Sequence, residues 1–79
     1  MSPTVFKYRN YRFFFFSREE ARMHIHVSGP DGEAKFWLEP IISLDCYAGF
    51  KSKELREIQK IIEERKDEIG KAWKKHFQS

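Results

Sequence analysis

Alternating apolar and polar residues predict a β-hairpin at the start of the chain. β-Branched and aromatic residues alternate in 4–8, which predicts a strand, and the aromatic-rich segment 11–16 is predicted to return as the second strand. Arg9-Asn10 lies between them and can form a two-residue turn, because Asn tolerates a positive φ. Residues 17–23 are polar and charged without a clear period, so we predict a loop or a short helical turn there.

A second hairpin is predicted around the strongest turn signal in the chain, Gly29-Pro30-Asp31-Gly32. The flanking segments 24–28 and 34–38 have the composition and alternation of strands. Pro40 is expected to end the second of these strands, because proline cannot donate to a sheet ladder. Residues 40–50 are predicted to form an irregular connection.

The last part of the chain, 51–79, has the period of an amphipathic helix. Ser52 can cap its N-terminus, and Glu54 lies in the first turn, where a carboxylate is favourable. Gly70 is a weak point within it. One apolar stripe runs along the helix at steps of three and four residues or their sums: Leu55, Ile58, Ile62, Ile69, Trp73 and Phe77.

These elements predict one α+β domain over residues 1–79. Residues 1–50 are expected to form two β-hairpins and the irregular connection, and residues 51–79 the helix. The architecture is then a four-stranded antiparallel sheet packed on one long C-terminal helix.

The turn at 29–32 also predicts which residues of the second hairpin face each other. A four-residue loop places Ile25 and Phe36 on the face towards the helix, and a slip by one residue would reverse this. The histidines at alternate positions then share the opposite face. The predicted cross-strand pairs are Ser28–Glu33, His26–Lys35 and His24–Trp37.

The first hairpin offers a similar face. A two-residue turn sets Lys7 opposite Arg12 and puts Phe14 and Phe16 on the same side. One helix covers only one face of a sheet, so the other face is expected to be basic, aromatic and open. Such a surface favours a partner or a ligand, although burial of Phe14 and Phe16 by a second subunit would make it a homodimer interface.

Composition limits the classes of protein. The chain has 79 residues, a net charge of +3 and a single cysteine, Cys46, which excludes a disulfide within one chain and favours a reducing compartment. No apolar run approaches the length of a membrane span. We therefore expect a soluble, cytoplasmic protein without a membrane partner.

Charge is distributed unevenly along the chain. Residues 1–28 carry five basic and two acidic side chains, residues 29–50 one and four, and residues 51–79 nine and six. The mixed signs of the last segment are typical of a solvated helix face. In the first segment the basic residues lie among Phe and Tyr, a mixture that suits nucleic acid or another polyanion.

Four interpretations of His24 and His26 remain open. They can be surface residues of a strand, or an acid and a base with Lys35 stabilising negative charge on a phosphodiester. They can also recognise phosphates while Trp37 and Phe14 stack on bases. The fourth interpretation is a metal site, which needs a third ligand such as Asp31, Glu33 or His76; we predict no metal and no cofactor.

Other constellations carry less chemistry. Cys46 follows Asp45 but has no histidine near it in the sequence, which argues against a thiol nucleophile. Trp73, His76 and Phe77 are expected to end the helix as a core aromatic pair with a histidine at the C-terminus. A role for His76 in closing over the sheet face is the alternative.

Several motifs together resemble domain-of-unknown-function family 4160. They are Pro3-Thr4-Val5-Phe6, Tyr11-Arg12-Phe13-Phe14-Phe15, His24-Ile25-His26-Val27, Gly32-Glu33-Ala34-Lys35-Phe36-Trp37-Leu38 and Glu54-Leu55-Arg56-Glu57-Ile58. Members of that family are short prokaryotic proteins, often encoded beside a second small gene, and related double-histidine proteins are regarded as toxins. The resemblance implies the toxin of a toxin–antitoxin module, with its functional positions at His24 and His26.

Three hypotheses follow for function. The first is a toxin that acts on RNA or a nucleotide through His24, His26 and Lys35, with Lys7 and Arg12 attracting the polyanion and a cognate antitoxin covering the aromatic face. The second is a non-catalytic module that binds protein or nucleic acid through the same face. The third is a metal-dependent hydrolase.

Overall fold

The computed structural model describes residues 4–16 and 22–77, which form five antiparallel strands and two helices. The α+β class is confirmed, whereas the predictions of four strands and of one long helix are wrong. The elements are β1 Thr4–Tyr8, β2 Tyr11–Phe14, β3 His24–Gly29, β4 Gly32–Trp37, β5 Ser43–Ala48, α1 Ser52–Glu64 and α2 Lys66–Phe77.

The sheet is a meander in which each strand pairs with the next, in the order β1-β2-β3-β4-β5. β2 and β3 join the two predicted hairpins into one surface. The strand β2 ends at Phe14 rather than Phe16, and the predicted loop over 17–23 lies largely outside the described residues. The predicted cross-strand pairs are confirmed: Lys7–Arg12, His24–Trp37, His26–Lys35 and Ser28–Glu33.

The fifth strand replaces the predicted irregular connection. β5 pairs with β4, with Lys35 opposite Cys46, but nearly all of its side chains are exposed. An edge strand exposed on both faces has no apolar alternation, and this is why the sequence pattern missed it. The backbone turns away after it at Gly49, where φ is +87°, a conformation that glycine adopts without a steric penalty.

The helical segment breaks at Arg65, which separates α1 from α2. Arg65 has φ −110° and ψ 22°, and its guanidinium lies 4.4 Å from the centre of the Phe6 ring. The apolar stripe is interrupted at this point, and it resumes at Ile69. The prediction that Ser52 caps the helix is wrong, because Lys51 is the N-cap and Ser52 is the first residue of α1. The Lys51 N–H donates to the Glu54 carboxylate at 2.9 Å.

The core lies between one face of the sheet and both helices. The side chains predicted for this face are buried, including Ile25, Val27 and Phe36, each with no exposed surface. Within the described residues, neither helix is long and apolar enough to cross a membrane. The helices contribute Ile58, Ile61, Ile62, Ile69 and Trp73 to the core.

Candidate functional site

The candidate site lies on the sheet face opposite the core, which we call the histidine face. Because β2 lies beside β3, Phe14 stands opposite His26, and Arg12 stands opposite Ser28. The order of the strands, which the sequence left open, thus joins the predicted faces of the two hairpins. The histidine face is defined by Arg12, Phe14, His24, His26, Lys35 and Trp37.

His24 is fully buried, with 0% of its surface exposed. Its ring centre lies 5.5 Å from that of Trp37 and 5.3 Å from that of Trp73 on α2. The Nδ1 atom is 2.8 Å from the carbonyl oxygen of Arg22; because a carbonyl can only accept, Nδ1 carries the proton. The expectation that both imidazoles are open to solvent is thus wrong for His24, because Trp73 packs against it.

His26 is half-buried among aromatic rings. Its ring stacks on Phe14 with a centre-to-centre distance of 5.6 Å, and Phe16 stands edge-on to it at 4.3 Å. The ring of His24 lies 5.1 Å away, also edge-on. The Nε2 atom of His26 is shielded from solvent, so a substrate meets this ring at its other edge or after Phe16 rotates.

Lys35 stands between His26 on β3 and Cys46 on β5. Its Nζ atom lies 3.5 Å from a carboxylate oxygen of Asp45 and 4.4 Å from the centre of the Trp37 ring. A bulge between Lys35 and Phe36 in the β4–β5 ladder leaves Asp45 without a residue directly opposite it. Bulges re-aim side chains in this way, and here the result is an ion pair with Lys35.

Two cations contact the ring of Trp37. Besides Lys35, the guanidinium of Arg22 lies 4.2 Å from the centre of its ring, while Arg22 Nε donates to the Glu39 carbonyl at 3.0 Å. Sequence reasoning missed Arg22 as a site residue. It precedes β3 outside any periodic segment, so no pattern pointed to it.

The remaining predicted binding residues differ in exposure. Phe14 is buried, with only 7% of its surface exposed, and the Arg12 guanidinium lies 4.4 Å from its ring centre. Arg12 Nε also donates to the Thr4 hydroxyl at 2.6 Å. The expectation that the ring of Phe14 is open for stacking is therefore wrong, whereas Phe16 is 45% exposed and Lys7 is exposed.

Cys46 lies closer to the histidines than the sequence suggested. Together with His26, Phe14 and Phe16 it lines a shallow pocket of about 250 Å³. Cys46 and His26 are far apart along the chain, but they belong to β5 and β3, which are separated in the sheet only by β4. The sequence gives no signal that Cys46 and His26 are close, because the order of the strands in the sheet is not known from it.

The other candidate ligands are not gathered around the histidines. Over residues 4–16 and 22–77, the structure contains no group of three or more His, Cys, Asp or Glu side chains that could hold a metal ion. His76 packs on the rings of Phe15 and Phe77, with centre-to-centre distances of 5.9 and 4.3 Å. Because Phe15 is a core residue, His76 lies on the core side of the sheet.

Comparison with known proteins identifies a family and nothing beyond it. The model of a family described as a domain of unknown function (DUF4160) matches residues 10–74. That range contains every residue of the histidine face. No curated protein and no solved structure matches the chain.

Proposed function

This chain belongs to the DUF4160 family, and we propose that it is the toxin of a prokaryotic toxin–antitoxin module and acts on RNA through His26 and Lys35. The observation that carries the proposal is the direct cross-strand pairing of these two residues on one face. A neutral imidazole beside an ammonium group suits chemistry at a phosphodiester.

In the proposed reaction His26 is the general base. It takes the proton from a ribose 2′-hydroxyl, and the 2′-oxygen attacks the adjacent phosphorus. The bond from phosphorus to the 5′-oxygen breaks, and that oxygen takes a proton from water, which leaves a 2′,3′-cyclic phosphate. Lys35 stabilises the negative charge that develops on the phosphoryl oxygens.

His24 takes a different role from the one that the sequence predicted for it. Because it is buried, it does not touch the substrate, and its ring contact with His26 makes it a positioning residue. The hydrogen bond from Nδ1 to the Arg22 carbonyl fixes its tautomer and orientation. In this account the histidine pair supplies one catalytic residue and one support.

Trp37 and Arg22 supply contacts to the ligand outside the reacting bond. A half-buried indole offers a stacking surface for a base, and a guanidinium beside it can pair with a phosphate. Lys7 and Arg12 lie farther along the same face and attract the polyanion. A cognate antitoxin would inhibit the toxin by covering this face, including the exposed ring of Phe16.

The proposal is tested by tightly controlled induction in a bacterial host. We expect wild type to arrest growth and His26→Ala to permit growth at the same soluble level. Lys53→Gln, an exposed lysine on α1, is the matched control and should arrest growth like wild type. Equal arrest by wild type and His26→Ala would contradict the catalytic role of His26.

The burial of His24 favours a second candidate, a non-catalytic module that binds RNA or protein through the histidine face. In that case Trp37→Ala weakens binding more than His26→Ala does, because the indole supplies more contact area. Salt distinguishes the two ligands, since phosphate binding weakens steeply with salt and apolar docking does not.

A further inference from the structure

A basic cleft of about 430 Å³ lies at the tips of the two hairpins, and we call it the tip cleft. It brings together three cations, Lys7, Arg9 and Arg12, from the first hairpin. Ser28, Gly29 and Pro30 of the second hairpin form its other wall. All of these residues lie within the described part of the chain.

The tip cleft continues the histidine face rather than forming a separate surface. Ser28 lies two residues after His26 on β3, so both side chains point to the same side. Arg12 is directly opposite Ser28, and Lys7 is directly opposite Arg12. Two residues of a strand advance by about 6.6 Å. The residues paired with Ser28 therefore lie about that far along the sheet from the residues paired with His26.

The charges along the cross-strand line of residues through Ser28 are asymmetric. Lys7 and Arg12 lie on one side of Ser28, whereas Glu33 lies directly opposite Ser28 on the other side. An anion is therefore drawn to the β1–β2 side of this line. Arg9 forms an ion pair with Glu57 at 3.4 Å, but both side chains are largely exposed, and such pairs are weak enough for a phosphate to compete.

Arg12 is already held in place for a contact of this kind. Its Nε donates to Thr4, and its guanidinium packs over the ring of Phe14. Phe14 in turn stacks on His26. The same aromatic ring thus supports the proposed base and the nearest cation of the tip cleft.

We infer that the substrate of the proposed site is a single-stranded RNA oligonucleotide, and that the tip cleft binds a phosphate next to the one that reacts. The strand runs from His26 along β2 and β3 towards the hairpin tips. This inference rests on the proposed function and adds to it the class of substrate and the path of its backbone. A mononucleotide reaches His26 and Lys35 but gains nothing from Lys7 and Arg12.

The test is fluorescence anisotropy with labelled oligouridylates of two, four and eight nucleotides. Wild type should bind the longer strands more tightly than the dinucleotide, and Lys7→Gln/Arg12→Gln should lose that gain. With the contact to this one phosphate removed, the slope of log Kd against log salt concentration should fall by about 0.7 for the eight-nucleotide strand. Lys53→Gln/Lys60→Gln on α1 is the control for loss of two charges and should bind like wild type.

A single variant keeps the test independent of folding. Lys7 is exposed, so Lys7→Glu should weaken binding of the eight-nucleotide strand without any change in the thermal midpoint. Wild-type affinity in both Lys7→Glu and the double variant would overturn the inference that the tip cleft binds a phosphate.

Cleavage of the same strands separates the two claims. If the variants lose affinity but wild type cleaves no RNA, the phosphate-binding role of the tip cleft is supported and the proposed cleavage reaction is contradicted. If wild type cleaves RNA and the variants bind it as tightly as wild type does, the cleavage reaction is supported and the phosphate-binding role of the tip cleft is contradicted. If wild type binds none of the oligonucleotides, both fall.

Discussion

At the scale of single residues, the two histidines of one strand have different environments. His24 has no exposed surface and lies among Trp37, Trp73 and the ring of His26, whereas His26 is only half-buried. The alternation of a strand correctly predicts that they share a face. It does not predict their burial, because Trp73 comes from the far end of the chain and no local pattern connects it to His24.

Phe16 controls access to His26 in this account. Its ring stands edge-on to that of His26, and Nε2 of His26 is shielded from solvent. We predict that Phe16→Ala raises the rate at which diethyl pyrocarbonate modifies His26 several-fold, as measured by mass spectrometry of peptides. The rate at buried His24 should stay unchanged and serves as the internal control; an unchanged rate at His26 would show that Phe16 does not shield it.

Tyr11 makes the stability of the fold depend on pH in the alkaline range. Burial, together with the negative charges of Glu57 and Glu54, raises the pKa of Tyr11 above its ordinary value of 10.0. Because the unfolded chain loses this proton first, the contribution of Tyr11 is complete below pH 10 and falls as pH rises through the folded value. We predict that the difference in unfolding free energy between wild type and Tyr11→Phe, measured by urea denaturation, shrinks above pH 10.

A difference that stays constant from pH 8 to pH 11 would contradict this assignment. At neutral pH, Tyr11→Phe should lower the unfolding free energy by about 1 kcal/mol, the usual order for the loss of one polar hydroxyl interaction.

At the scale of elements, the sequence predicts the parts that have a buried face and misses those that do not. The hairpins β1–β2 and β3–β4 and the registers within them follow from composition and turn signals, since a slip in the second hairpin would expose Ile25 and Phe36. The pairing of β2 with β3 does not follow from these signals. The edge strand β5 has no buried face, so its existence depends on pairing with β4. The break between the helices falls where Arg65 interrupts the apolar stripe, a signal present in the sequence but too weak to end a helix by itself.

Two glycines should respond in opposite ways to the same substitution. A methyl group on Gly70 meets no atom within 4 Å, so Gly70→Ala should raise the unfolding free energy by about 1 kcal/mol. On Gly32 the same group would collide with the carbonyl oxygen of Ala48. Gly32→Ala should therefore lower the unfolding free energy by about 2 kcal/mol or more.

Urea denaturation at one pH measures the unfolding free energies of both variants. Destabilisation by Gly70→Ala would contradict the open space above α2. A neutral effect of Gly32→Ala would contradict the close approach of β4 to the turn that follows β5.

In the molecule as a whole, the two helices cover one face of the meander and leave the histidine face uncovered except at His24, where Trp73 of α2 packs. Three basic residues of the first segment lie along that face, with Lys7 and Arg12 on one side and Arg22 beside Trp37. The acidic middle segment contributes Asp45, which pairs with Lys35. The sequence predicted the face and most of its residues, but strand order was needed to show that they form one continuous surface.

Cleavage of RNA by the purified protein shows whether His26 and Lys35 form the reacting pair. We predict that wild type generates fragments ending in a 2′,3′-cyclic phosphate, that His26→Ala generates none, and that Lys35→Gln is slowed at unchanged thermal stability. Cleavage by His26→Ala at the wild-type rate, with the same product ends, would contradict the account.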